Sequence, residues 1–82
     1  MMGSDVRLIL TTEADVETAR RLAAELLGGR IVACVTMVPV HSMYRWSGQI
    51  ESADEVQLLL KTTGSYVEQV HDAICRLHSY DV

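Results

Sequence analysis

The chain has no run of apolar residues approaching the ~18 needed to cross a bilayer as a helix. Its opening residues, MMGSDVRLIL, carry neither the basic segment nor the long apolar segment of a secretory leader. Gly3 is not the second residue, so the myristoylation pattern is unmet as well. These absences predict a cytoplasmic protein with no membrane partner. Basic side chains are scarce: seven Lys and Arg stand against eleven Asp and Glu, for a net charge of −4. No cluster of Lys and Arg alternates with aromatics, so nucleic acid is not an expected partner. There are two cysteines, Cys34 and Cys75, far apart and outside any C-x-x-C pair. That spacing excludes a disulfide scaffold or zinc knuckle and predicts free thiols. There is no linker, internal repeat or low-complexity stretch, so residues 1–82 read as one domain. Also missing are a Ser-His-Asp arrangement, a P-loop and a dinucleotide glycine fingerprint. No catalytic residues, no required cofactor and no enzymatic activity are expected.

What is present is an ordinary globular composition, 49% hydrophobic and 22% charged, in 82 residues. A core of that size is only marginally adequate, and oligomerisation is a common remedy. Val6–Thr11 reads as a buried strand. Thr12 with Asp15 approximates a capping box, and Val16, Ala19, Leu22, Ala23, Leu26 and Leu27 then repeat at helical spacing up to Gly28 and Gly29. Ile31 to Val38 is apolar on both alternating sets, so this strand needs cover on both faces. Helices can cover one face; a second subunit is the natural cover for the other. Pro39, which cannot donate to a ladder, predicts an interruption there, at an edge, bend or bulge. Extended character resumes over Val40–Trp46, Ser47-Gly48 is a turn, and Gln49–Thr62 returns as a third strand. Within it Glu51–Glu55 reads as irregular or exposed, whereas Val56, Leu58, Leu59 and Leu60 are core-like. Ser65, with Glu68 three residues on, predicts the cap of a second helix whose apolar face is Val67, Val70, Ile74 and Leu77. Strand, helix, strand, strand, helix is a ferredoxin-like split βαβ arrangement with its final strand missing: an α+β sandwich, βαββα, with an antiparallel sheet and two helices on one face. In such a sheet the missing strand pairs with the first, and the second strand lies at the opposite edge.

Specific residues point further. Ile31-Val32-Ala33-Cys34-Val35, Val38-Pro39, Ser42-Met43-Tyr44-Arg45-Trp46 with Gly48 and Ile50, and Glu55-Val56 running into Leu60-Lys61-Thr62 together resemble the CutA divalent-cation tolerance proteins. Leu10-Thr11-Thr12 fits the same family, and His78-Ser79-Tyr80-Asp81 is similar to the motif that opens its last strand. Ser79 stands where the family usually has proline, and the segment after Pro39 is one residue shorter than its common form. The family's C-terminal strand and short helix have no counterpart in the 82 residues. The resemblance implies a homotrimer of PII-like architecture, linked to tolerance of copper and other divalent cations, with no catalytic reaction.

Candidate metal ligands are His71, Cys75 and His78, which stand at i, i+4 and i+7 on the second helix and so within roughly 60° of one another. Imidazole and thiolate suit copper or zinc. The same positions border the apolar helix face, where half-buried polar side chains are ordinary. The resemblance adds Cys34, whose counterpart in the family has been considered a copper ligand; as a small hydrophobe it also packs well in a strand. Tyr44 and Trp46 share a strand face and could line a ligand pocket, with Lys61 supplying a cation from the neighbouring strand. Aromatics of this kind more commonly seal a hairpin root and a subunit contact. Tyr80 belongs with them as pocket or interface. His41 reads as a surface or bend residue, and the carboxylate pairs Glu13/Asp15 and Asp54/Glu55 as caps and loop charges with no pocket implied. The expected function is that of a non-enzymatic trimer binding or responding to copper or another divalent metal. The alternatives are a trimer built purely for structure or protein interaction, and a PII-like small-molecule sensor.

Overall fold

Five elements and one short turn account for residues 5–77, the part of the chain that the computed structural model describes. They are β1 (Val6–Glu13), α1 (Val16–Gly28), β2 (Cys34–Trp46), β3 (Gln49–Thr63), a 3-10 turn at Gly64–Tyr66, and α2 (Val67–Leu77). The sheet is antiparallel throughout with the order β1-β3-β2, so the expected α+β, ferredoxin-like class is what forms. β2 lies at an edge, as expected. No helix among the described residues is long and apolar enough to cross a membrane.

α1 starts one signal later than the sequence suggests. Thr12 is still in β1, opposite Gln57, and the cap is Asp15, in extended conformation. Its Oδ1 accepts from both the backbone N–H and the hydroxyl of Thr18, each at 2.8 Å, satisfying one of the helix's open donors. Those two bonds hold the Asp15 carboxyl below its ordinary value of 3.8, the backbone bond contributing most. A depressed acid stabilises the fold above its unfolded value and loses that contribution as pH falls through the folded one. Asp15→Ala is therefore expected to lower the melting midpoint by a few degrees at pH 7. The gap between variant and parent should close as melts are taken to pH values below 3.8.

Between α1 and β2 the chain departs from the expected strand. Ile31, Val32 and Ala33 form a connection, pinned to β3 by Ala33 N–H donating to the Lys61 carbonyl (2.8 Å) and by the Thr62 hydroxyl donating to the Ile31 carbonyl (2.6 Å). β2 then runs unbroken through Pro39, which sits opposite Val56. An edge strand tolerates a residue without N–H wherever its nitrogen faces away from the neighbouring strand. The polar stretch Glu51–Glu55 is regular strand as well, in ladder with Val40 to Tyr44. What makes the hairpin regular to its tip is the two-residue turn: Ser47 and Gly48 both take positive φ, 51° and 77°, and this twist matches that of the flanking strands. Ser65 falls inside the 3-10 turn, where its hydroxyl meets that of Thr63 at 3.0 Å, so the expected capping box is not the device that starts α2.

Alternation along β3 sorts the sheet into two faces. Val56, Leu58, Leu60 and Thr62 are buried beneath Ala19, Leu22, Ala23 and Leu26 of α1 and Val70 and Ala73 of α2, which places both helices on one side. The other side carries Leu8, Leu10, Leu59 and Val38. Leu8 and Leu10 are 55% and 56% exposed although both are leucines in a strand. β1 ends opposite Val56, and β2 and β3 continue past it as an arm that helps stretch the molecule to 44 × 23 × 21 Å.

Candidate functional site

The end of β1 leaves a step under the arm, and the step forms an open cleft of about 590 Å³. Thr12 and Ala14 make its floor at the end of β1. Tyr44 and Trp46 from β2, with Ala53, Asp54 and Glu55 from β3, make its wall. The register explains the grouping: Ser42 lies opposite Ala53, Tyr44 opposite Glu51 and Trp46 opposite Gln49, so both aromatics stand on the sheet face away from the helices. They are 47% and 67% exposed and seal nothing within one chain. Asp54 is steadied from across the ladder, where His41 Nδ1 lies 2.8 Å from its Oδ1, both side chains being exposed. His41 is thus a surface residue, as expected, and half of a cross-strand pair on the face opposite to the aromatics, while Asp54 and Glu55 border the cleft where the sequence implied no pocket. The signal that could have found them is the turn: once Ser47-Gly48 fixes the register, Asp54 and His41 are partners by counting.

Lys61 does not belong to this cleft. It pairs with Cys34, ten positions along β2 from Tyr44, which at about 3.3 Å per residue is roughly 33 Å away. Sequence adjacency of strands suggested a shared pocket; an antiparallel ladder puts residues near opposite ends of the hairpin far apart. Cys34 is exposed beside Lys61 on the open sheet face.

On α2 the structure brings together two of the three proposed ligands. Cys75 Sγ lies 3.7 Å from His71 Nε2 on an exposed surface. Tetrahedral bonds of about 2.3 Å to sulfur and about 2.05 Å to nitrogen would put those two atoms roughly 3.6 Å apart, so the pair fits a shared zinc- or copper-like ion. His78 and Tyr80 lie outside the described residues. Among the described residues no group of three or more His, Cys, Asp or Glu side chains is gathered closely enough to hold a metal. Cys34 is on the sheet face opposite to the helices, so within one chain it cannot join His71 and Cys75.

Comparison with known proteins agrees with the fold. The model of the family described as CutA1 divalent ion tolerance protein matches residues 7–82. The divalent-cation tolerance protein CutA of Pectobacterium atrosepticum is 40% identical over 78 residues, covering 94% of this chain. The chain spans 64 to 71% of the length of the curated relatives it matches. Among solved structures, CutA from Xylella fastidiosa superposes with a TM-score of 0.93 at 41% identity, covering 96% of this chain and 77% of that one. The periplasmic divalent cation tolerance protein CutA from Archaeoglobus fulgidus gives 0.89 at 35% identity, over 92% and 74%.

Proposed function

The chain belongs to the CutA1 divalent ion tolerance family, and from that premise we propose that it is a non-enzymatic, homotrimeric protein that binds copper or a related divalent metal as cargo. The observation that carries the metal reading is the His71–Cys75 pair, one helical turn apart, exposed, and at a separation one ion can bridge. Thiolate supplies the soft ligand that favours copper over harder ions, and the imidazole nitrogen completes an i, i+4 clamp on a rigid helix. His78 is proposed as a further donor. Two exposed free thiols, Cys34 and Cys75, support a reducing, cytoplasmic location.

The test is calorimetric titration of copper under reducing conditions. The double substitution His71→Ala with Cys75→Ala is expected to weaken binding by at least tenfold while leaving the melting midpoint within a degree or two, since both side chains are exposed. Unchanged affinity would remove these residues as ligands.

A second reading, self-association as the protein's main task with metal effects following indirectly, draws on the open sheet face. A row of leucine and valine side chains exposed to this degree on one face marks an interaction surface. On the proposed trimer, two further copies of the chain are the occupant. Weak, non-stoichiometric copper binding would favour this reading.

A further inference from the structure

We propose that the His71–Cys75 clamp takes its cargo as the monovalent cuprous ion, by ligand exchange with a small thiol that carries the ion to it. This rests on the metal reading above and adds to it the oxidation state and the class of donor molecule that the clamp selects. Both side chains are exposed on α2, while Val70 and Ala73 of the same helix are buried against the sheet. The pair therefore lies on the helix side, clear of the open sheet face.

The donor set decides the oxidation state. Among the described residues no third His, Cys, Asp or Glu is gathered with the pair, so the clamp offers one sulfur, one nitrogen and no carboxylate oxygen. With His78 counted as the further donor, the set still falls short of the four ligands of a closed zinc site. A cuprous ion asks for less: with a filled d shell and a single charge it is satisfied by two or three soft donors, and thiolate selects it. The separation of 3.7 Å admits this coordination too. Opening the angle between bonds of about 2.3 and about 2.05 Å from tetrahedral to trigonal moves the sulfur–nitrogen distance only from roughly 3.6 to roughly 3.8 Å.

An ion held by so few donors on an exposed helix keeps a position open to a ligand from outside. Free cuprous ion does not persist in water, so it arrives on a carrier, and a thiol is the carrier whose donor atom matches Cys75. In the exchange Cys75 Sγ bonds to the ion as one bond from the ion to the carrier's sulfur breaks. The thiol proton of Cys75 passes to the released thiolate, His71 Nε2 adds the second bond, and copper stays in the +1 state throughout. No oxidant or reductant enters.

Anaerobic titration of copper(I) into the whole chain, in competition with the chromophoric chelator bicinchoninate, is run beside a zinc titration. Copper(I) is expected to bind at least a thousandfold more tightly than zinc. Cys75→Ser should weaken copper(I) binding at least a hundredfold and His71→Ala about tenfold, with circular dichroism unchanged. In the Cys34→Ala protein, which leaves Cys75 as the only thiol, X-ray absorption at the copper edge should show one more sulfur ligand once glutathione is added. Zinc bound as tightly as copper(I), with both lost on Cys75→Ser, would overturn the proposal and leave the metal reading standing. A copper spectrum unmoved by glutathione would overturn the exchange with a thiol carrier. Affinity for both ions indifferent to Cys75→Ser and His71→Ala would remove the metal reading itself, and the proposal with it.

Discussion

Replacing Leu8 and Leu10 together by aspartate is expected to reduce the assembled protein to monomers. Both side chains are more than half exposed in the single chain and stand on β1 on the sheet face away from the helices, in ladder with Lys61 and Leu59 of β3. Covering a leucine fully is worth about 1.5–3 kcal/mol, and the substitutions remove that gain at two positions in every copy. They also place two carboxylates where a partner's apolar surface would lie, which adds a desolvation cost of several kcal/mol unless a cation meets them. In a closed symmetric assembly each change is repeated at every interface, so the penalties accumulate. Because the helix-facing core is untouched, the far-ultraviolet circular dichroism of the monomer should remain that of a folded α+β protein. Sedimentation equilibrium decides the matter: a mass unchanged from the parent protein would show that this face is not the contact.

That face was legible in the sequence, though only in one of the strands that form it. The stretch from Ile31 to Val38 is apolar on both alternating sets, and from this a second subunit was expected to cover it. The structure shows an exposed apolar face and redistributes its residues: Val32 leaves the strand for a connection, while Leu8 and Leu10 on β1 supply the most exposed leucines of the sheet. β1 looked simply buried because VRLILT has no polar residue on its outward set to reveal which face water would see. Helix α1 and its apolar stripe were legible because Ala19, Leu22, Ala23 and Leu26 keep one period without interruption. The candidate site was less so. Tyr44 and Trp46 were marked by residue type, but their companions depend on ladder register, which a two-residue turn fixes and composition does not. Pro39 marked an edge strand correctly but no interruption, for a related reason: its missing N–H matters only on the side that has a neighbour, and neighbours are a property of the sheet.

Leu58→Ala is expected to cost the isolated fold about 2–5 kcal/mol, the largest effect of any single truncation proposed for this chain. Leu58 has no exposed surface and lies in the middle of β3, between Thr11 on β1 and Met37 on β2 and beneath the two helices. Its removal leaves a cavity that three strands cannot close without breaking the ladder, and close-packed neighbours relax only partly into such a space. A domain of 82 residues has roughly 4–12 kcal/mol of total stability, so the loss is a large share of the whole. In a thermal melt the midpoint should fall by at least about 10 °C. Leu59→Ala provides the contrast. The same residue type one position on points to the opposite face, opposite Leu10, and is only half-buried in the single chain. Its truncation should leave monomer stability nearly unchanged and weaken association, so that its melting midpoint depends more steeply on protein concentration than that of Leu58→Ala. If the two variants lose equal stability at every concentration, β3 has helices or partners covering both faces equally, and the division of the sheet into a core side and an assembly side is wrong.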